Sequence, residues 1–473
     1  MKRMKAEGGR MKCRFFLHPS AFILLLLAAC TAPAPTATIV PTESLPPTVT
    51  PLPTFTPAPT AVPDALYVDA AQPLGPISPL VYGTNYGPWI AVPYDLLDEA
   101  IDARITYLRF PGGNWGDRNE LQTYQVDFFI TLARQMDSEP SFSVRLLDGT
   151  PEKAAYWVKY CRDKGYNIRY WSIGNEPDLY RTEHQEADYD TLRFNREWRA
   201  IAEAMKAVDP NLLLIGPDLS GGFTANPATN PKDANGRDWL TEFLRANGDL
   251  VDIVAIHRYP FPKTPSSPSA TIEDLRNNSR EWDELIPYVR SLTRETTGRD
   301  LPIAVTEVNS DWSKNCCNDA APDSFYNAIW WADSLGRMIR NGVSIVAHFV
   351  LQSSPAVGAV GLLGNYEVRP SYYVYQMYKR FGDQLLYASS DDPDVSLFAA
   401  QRADGALTLM LINLAPDPIT KPLRLNGFTP KSPAAVWRFD AGHNAELIDS
   451  QPTEDGTPIT LPGQSLTLFI LSP

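Results

Sequence analysis

From residue 80 the chain alternates two hydrophobic rhythms. Short apolar runs, rich in β-branched residues, end in Gly, Pro, Asn or Asp, and segments with a period near 3.6 follow them. The strands expected are LVYGTNY (80–86), TYLRF (106–110), SFSVRLL (141–147), IRYWSI (168–173), LLLIGP (212–217), DIVAIHR (252–258), PIAVTE (302–307) and SIVAHFV (344–350). Between them the pattern predicts helices over 93–103, 150–164, 191–208, 273–292 and 324–341, and a last one over 371–381. Eight strands, each followed by a helix or a helix-bearing loop, fit an α/β fold of the (β/α)8 TIM-barrel type. An open doubly wound sheet is the alternative. It has little support, because no Gly-rich phosphate turn follows the first strand. After residue 383 the rhythm changes to period 2. DVSLFAAQR, ALTLMLINL, TKPLRLNGF, AAVWRFD and SLTLFILS are separated by turn residues and no helical period appears, as expected for a small antiparallel β-sandwich. ALYVDAA (65–71) can add a strand to it.

The first thirty residues have neither rhythm. Lys2, Arg3, Lys5, Arg10, Lys12 and Arg14 precede the apolar run AFILLLL and then LAAC, ending at Cys30. A basic segment, a short apolar stretch and small residues make an export signal too short to span a bilayer comfortably. The LAAC ending resembles the bacterial lipobox, which implies cleavage before Cys30 and lipid on its sulfur. Residues 31–63 are dominated by Pro and Thr, which predicts an extended, solvated stalk. The expected organisation is a signal over 1–29, a lipidated Cys30 with its stalk over 30–63, the barrel over 64–383 (with 65–72 as a strand shared with the sandwich) and the sandwich over 384–473. Such a chain would be exported, lipid-anchored to a bacterial membrane or cell surface, and monomeric.

Composition narrows the chemistry. The formal charge is −13, and without residues 1–29 the remaining 36 basic and 54 acidic residues bring it near −18. A nucleic-acid partner, which needs a basic surface, is not expected. His184, His257, His348 and His443, the histidines after the signal, are far apart in sequence, and Cys316 and Cys317 stand without further ligands at zinc spacing. No metal and no cofactor are expected. Cys161, at helical spacing with Ala154 and Val158, reads as a buried thiol.

In a barrel of this type chemistry sits at the C-terminal ends of the strands. Glu176, in WSIGNEPDLY, follows the fourth strand, and Glu307, in AVTEVNSDW, ends the seventh. The two carboxylates, 131 positions apart, can therefore face each other across one mouth. A facing pair, one protonated and one ionised, is the minimal arrangement for glycoside cleavage. Asn-Glu-Pro after strand four, a Glu ending strand seven and a trailing sandwich resemble glycoside hydrolase clan A. LRFPGGNWGD (108–117), HRYP (257–260) and RPSYY (369–373) look most like families 51, 39 and 44, and GNEPDLY is similar to family 79. The resemblance implies a retaining mechanism with Glu176 as general acid/base and Glu307 as nucleophile, on an arabinofuranosidase-, xylosidase- or endoglucanase-like carbohydrate substrate. It also implies that Asn175 bonds the sugar hydroxyl beside the reacting carbon, that Arg109 lies under Glu307, and that His257 and Tyr259 touch the nucleophile or the sugar. Asn114 and Trp115 follow a Gly-Gly turn that lets backbone approach a ligand. Tyr86, Trp89, Trp115 and Trp312 fall in mouth loops, where rings can stack on sugars. Asp117, Asp178, Asp218 and Asp311 read as caps or solvated turns. The rival class is a surface lipoprotein that binds glycan on the same barrel without cleaving it. A metal-dependent hydrolase would need clustered His and Asp at strand ends, which the sequence lacks.

Overall fold

The computed structural model describes residues 62–262, 269–313, 318–355, 357–358 and 360–473. The signal, Cys30, nearly all of the stalk and the Cys316–Cys317 pair lie outside the described residues. Strand β1 (Leu66–Pro76) comes first. The strands β2 (Gly83–Asn85), β3 (Tyr107–Phe110), β4 (Glu139–Val144), β5 (Tyr170–Ile173), β6 (Leu213–Leu219), β7 (Ile253–Arg258), β8 (Ile303–Val308) and β9 (Ile345–His348) then close into a parallel eight-stranded barrel. Closure is made where Gly83 and Thr84 of β2 pair with Ala347 and His348 of β9.

The strands are short and buried on both faces, as parallel strands under a helical layer must be. Alternation along β3 shows the division of labour. Leu108 and Phe110 join the large cluster under the helices, while Tyr107 joins the barrel interior with Ile215, Ile253, Ala255, Ala304, Ile345 and Ala347. Arg109 lies on the same interior face, one layer nearer the mouth. Apolar side chains thus fill the lower barrel and polar ones its top.

Two β-bulges re-aim residues at that top. Pro217 and Leu219 of β6 pair with Ala255 and Ile256 of β7, leaving Asp218 as the extra residue at φ 54°. Val305 and Glu307 of β8 pair with Ile256 and His257, leaving Thr306 as the extra residue. Each bulge adds a polar side chain where the alternation would have carried the strand past the mouth.

The helices follow the predicted periods, except that the one expected over 273–292 is divided by a 3-10 turn into Ile272–Asn278 and Trp282–Thr297. Thr123–Gln135 and Trp239–Asn247 are further helices, and the stretch expected over 93–103 is a 3-10 turn followed by the helix Leu97–Asp102. In TYQVDFFITLARQ, aromatic residues fall on both faces, with Phe129 buried and Tyr124 and Phe128 exposed, which blurs the helical period.

Strands β10 (Gln384–Ser390), β11 (Val395–Gln401), β12 (Leu407–Asn413), β13 (Ile419–Asn426), β14 (Ala434–Asp440), β15 (His443–Gln451), β16 (Pro458–Leu461) and β17 (Ser465–Leu471) form the C-terminal β-sandwich in the order β15-β14-β17-β12-β11-β10-β1-β13-β16. Strand β1 lies between β10 and β13, antiparallel to the first and parallel to the second. The chain therefore enters the barrel from the sandwich and returns to it. The sandwich braces the helix Phe325–Arg340: Tyr326 donates to Leu414 O at 2.9 Å, Arg337 donates to Ser396 Oγ at 2.9 Å, and Phe325 packs on Phe439.

Candidate active site

Arg109 organises the top of the barrel. It is fully buried, and its guanidinium reaches four oxygens from four strand ends. Nη1 donates to Glu307 Oε1 at 2.7 Å and Asn85 Oδ1 at 3.0 Å; Nη2 donates to Asn175 Oδ1 at 3.0 Å and Asp218 Oδ2 at 3.4 Å. Two carboxylates beside one guanidinium hold Arg109 charged against the cost of its burial. Asn85, which ends β2, is held in turn by donation to Thr306 O at 2.9 Å and Ala347 O at 3.2 Å.

Glu307 receives two more donors. The Gly113 backbone N–H meets Oε1 at 2.8 Å, and the Tyr259 hydroxyl meets Oε2 at 2.8 Å. Gly113 sits at φ 59°, a left-handed conformation glycine adopts without strain, and this turns its N–H toward the carboxylate. Glu307 is thus gripped by one guanidinium and two neutral donors.

Glu176 stands in a different environment. Its backbone is left-handed at φ 47° and its N–H is pinned to Asp218 O at 3.0 Å, so the side chain turns back over the mouth. Oε1 lies 3.1 Å from His257 Nδ1. Burial pushes the Glu176 carboxyl above the usual carboxylate range; His257 pulls it back, while Glu307 and Asp178 push it further up. His257, completely buried, lies 3.7 Å from Glu307 Oε2 and 3.9 Å from Asp218 Oδ1. Burial opposes its charge, but Glu307 and then Glu176 outweigh that, and its pKa is raised. Burial and the two glutamates also raise Tyr259 well above an ordinary phenol, so its hydroxyl stays a donor.

Three aspartates read as caps or turns are instead parts of this construction, Asp117 and Asp218 buried and Asp178 partly so. Asp117 is almost fully buried and accepts four hydrogen bonds. Leu146 N (2.9 Å) and Leu147 N (3.2 Å) reach Oδ1; Asn175 N (2.9 Å) and the Tyr180 hydroxyl reach Oδ2. Burial raises its pKa, and these donors pull against the rise. Asp117 thereby ties the segment after β3 to the Gly174–Asn175 peptide, one residue before Glu176. Gly174, at φ 77°, admits this: a Cβ there would stand 2.6 Å from Leu146 Cβ and 2.8 Å from the Tyr180 hydroxyl. Asp218 accepts from Thr306 Oγ1 as well as from Arg109. Asp178 accepts from Ser220 N at 3.0 Å. Asp311 does form a turn, accepting from Ser313 N at 2.7 Å.

Of the residues singled out in the sequence, Glu176, Glu307, Asn175, Arg109, Asn114, His257 and Tyr259 come together here, with Asn114 Oδ1 accepting from Asn175 Nδ2 at 2.9 Å. Trp89 packs on the apolar cluster of Tyr259, Phe349, Val350 and Val360. Trp115 opens the short helix Trp115–Arg118 and is half-buried, and Trp312 is exposed. Tyr86 does not face the carboxylates. It is buried in the layer behind β3, its ring 6.3 Å from that of Phe110, because strand alternation turns it away once Asn85 faces inward. Asn85, Asp117, Asp218 and Thr306 belong to the network without having been singled out as site residues. Asn85 had a legible signal, since it ends β2 in the layer that Arg109 occupies on β3.

One oxygen of Glu176, one of Glu307 and a ring nitrogen of His257 all lie within 4.8 Å of one another. This is the group, among the described residues, close enough to share a cation. Arg109 and Tyr259 already occupy both oxygens of Glu307, and a second positive charge beside Arg109 would be repelled. The arrangement suits proton transfer and nucleophilic attack: one partly buried carboxyl with a raised pKa, and one carboxyl group with a cation at its back.

The model of the glycosyl hydrolases family 39 matches residues 156–414, and that of the D-apionate lactonase C-terminal immunoglobulin-like domain matches 393–463. Heparanase of Bos taurus is 26% identical over 326 residues, 63% of this chain and 54% of that one. Beta-xylosidase of Geobacillus stearothermophilus is 24% identical over 272 residues, 52% of this chain and 47% of that one. The chain thus spans about half the length of these relatives. In fold it is similar to CelM2, a bifunctional glucanase-xylanase from a metagenome library, with a TM-score of 0.68 at 20% identity over 86% of this chain and 99% of that one.

Proposed function

The chain belongs to glycosyl hydrolase family 39, within clan A, and from that premise we propose that it is a retaining O-glycosidase acting on a polysaccharide or oligosaccharide. The observation that carries the proposal is the unequal pair of carboxyls at one mouth, with oxygens inside 4.8 Å of one another. Carboxyl groups about 5–5.5 Å apart suit double displacement, whereas about 6.5–9.5 Å leaves room for a water and gives inversion.

Glu176, its carboxyl pushed above the usual carboxylate range by its desolvation, donates its proton to the leaving glycosidic oxygen. Glu307 attacks the anomeric carbon as that bond breaks, and a glycosyl ester forms on it. The negative charge that Glu307 gives up passes to the departing alcohol oxygen, which Glu176 neutralises. Water then enters where the alcohol left. Glu176, now ionised, takes its proton as the water attacks, and the released Glu307 carboxylate returns to Arg109, Gly113 N–H and Tyr259. Asn175, beside Glu176 and anchored to Arg109, is placed to meet the adjacent sugar hydroxyl. The similarity to a beta-xylosidase favours a plant-type glycan substrate. Export and a lipid anchor at Cys30 remain part of the proposal and rest on the signal-like first thirty residues.

The test is release of reducing sugar from arabinan, arabinoxylan, xylan, cellulose derivatives, glucomannan and glucuronide-bearing glycans, with Glu176→Ala and Glu307→Ala alongside. Release from one class, lost in both variants, names the substrate. No release from any of them would contradict the catalytic reading. For the anchor, labelled palmitate should enter the wild-type chain in a bacterial host and not Cys30→Ala; equal labelling of the two would remove it.

A further inference from the structure

Beside the mouth lies a second concavity that the proposed chemistry does not use. It has a volume of 360 Å³, within the range of sites that hold small ligands, and its walls are Tyr86, Pro88, Ile90, Tyr124, Gln125 and Phe128 with their neighbours. Tyr124 and Phe128 stand four residues apart on the helix Thr123–Gln135, so their rings lie one above the other on a single face. They are 68% and 52% exposed, in contrast to the buried Phe129 between them and the next turn. Two large rings left in water on one wall of an apolar groove gain nothing for the fold. The Gln125 side chain accepts from Gln122 N at 2.9 Å through Oε1 and has no other hydrogen bond among the described residues, so its amide N–H groups remain to donate.

One segment links the wall of the groove to the carboxylate site. Tyr86, in its wall, follows Asn85, whose side chain accepts from Arg109. Three residues on, Trp89 packs on Tyr259 and Phe349, and Tyr259 in turn holds Glu307. Within residues 86–91, Tyr86, Pro88, Ile90 and Ala91 therefore line the groove, while Trp89 packs on the cluster that includes Tyr259.

We propose that this groove is a remote glycan subsite, in which the sugar faces of a neutral polysaccharide stack on Tyr124 and Phe128 while another part of the same chain lies between Glu176 and Glu307. The proposal rests on the glycosidase reading for the position of the scissile bond. Aromatic rings meet the apolar faces of sugars, and the Gln125 amide meets a ring hydroxyl. The choice of a neutral glycan follows from the lining, which holds no charged residue. A uronate or sulfate group would call for Arg or Lys to replace its hydration.

The experiment is native electrophoresis of the full chain carrying Glu307→Ala, in gels containing arabinoxylan, mixed-linkage β-glucan or heparin. One of the neutral polymers should retard the protein and heparin should not. Adding Tyr124→Ala and Phe128→Ala should weaken the apparent affinity about tenfold, as two lost ring contacts imply, and Tyr124→Phe with Phe128→Tyr should restore it. Both positions are exposed, and matching thermal melts verify that the variants fold. Retardation indifferent to the rings, retardation by neither neutral polymer, or ring-dependent retardation by heparin would each overturn the subsite. So would a dimer in light scattering that Tyr124→Ala with Phe128→Ala converts to monomer, since a second copy would then be the occupant. Turnover of aryl glycosides by the wild type, measured in parallel, separates the two proposals. Turnover with ring-independent retardation sinks the groove alone; ring-dependent retardation without turnover sinks the catalytic reading alone.

Discussion

Asp117 offers the sharpest test of how the site is held. Asp117→Ala removes the acceptor of four buried donors: the N–H groups of Leu146, Leu147 and Asn175, and the Tyr180 hydroxyl. Each orphaned donor costs about 1–3 kcal/mol, and water entering the vacated space offsets part of this, so the loss should be about 3–5 kcal/mol. An unfolding entropy of about 2.1 cal/mol/K per residue, over roughly 400 residues, converts that to a fall in Tm of about 4–6 °C. Asp117→Asn is milder. With its carbonyl toward Leu146 and Leu147, its amide faces Asn175 N, while the Tyr180 hydroxyl can turn to accept; one donor is orphaned, at about 1–3 kcal/mol. The kinetic effect should fall on Glu176, whose neighbour Asn175 has lost its anchor. A displacement of about 1 Å at a reacting group can cost about 100-fold. Because Glu176 serves as the acid, kcat/KM should fall most for aryl glycosides with poor leaving groups and least for those that leave without a proton. The assay is a leaving-group series on Asp117→Asn beside a thermal melt. An unchanged melt, or a loss independent of the leaving group, would refute the reasoning.

The raised pKa of Glu176 sets two further outcomes. The alkaline limb of kcat/KM should lie above the ordinary glutamate range, and Glu176→Gln should abolish it for substrates with activated leaving groups; an unmoved limb would assign it elsewhere. The same shift means the folded chain holds this proton to higher pH than the unfolded chain. Unfolding free energy should therefore fall as pH rises between the ordinary value and the shifted one, and denaturant titrations of Glu176→Gln should lack that slope. Tyr259→Phe removes a 2.8 Å donor from Glu307; at about 1.5–3 kcal/mol for a bond to a charged group, kcat should drop about 10- to 100-fold, and a change under about twofold would show that the hydroxyl is dispensable. Arg109→Lys keeps a charge but cannot span four oxygens, so steady-state kinetics and a melt should both show loss; wild-type values in either would contradict the role given to the guanidinium fork.

The architecture was legible because strand and helix periods differ and eight short β-branched runs recur between helical segments. Each run coincides with a barrel strand within a few residues. Glu176 and Glu307 were legible as a pair because strand ends in a barrel share one layer. The bulges were not: Asp218 and Thr306 are extra residues, and a strict alternation assigns them no partner across the mouth. Asp117 looked like a turn acid because its four donors come from segments 29 to 63 positions away. Tyr86 was placed at the carboxylates on loop position alone, but the pleat turns it to the opposite side of β2 from Asn85. Tyr124 and Phe128 were hidden for the converse reason, since exposed aromatics in a helix read as core.

The central claim is that Glu307 forms a covalent bond with the sugar while Glu176 moves the proton. It is tested most directly by following Glu307→Ala with an activated aryl glycoside and added azide, and reading the anomeric configuration of the product by proton NMR. The account predicts retained configuration for the wild type, no turnover for the variant alone, and a glycosyl azide of inverted configuration when azide is supplied. Inversion by the wild type, or undiminished turnover by Glu307→Ala without azide, would contradict it.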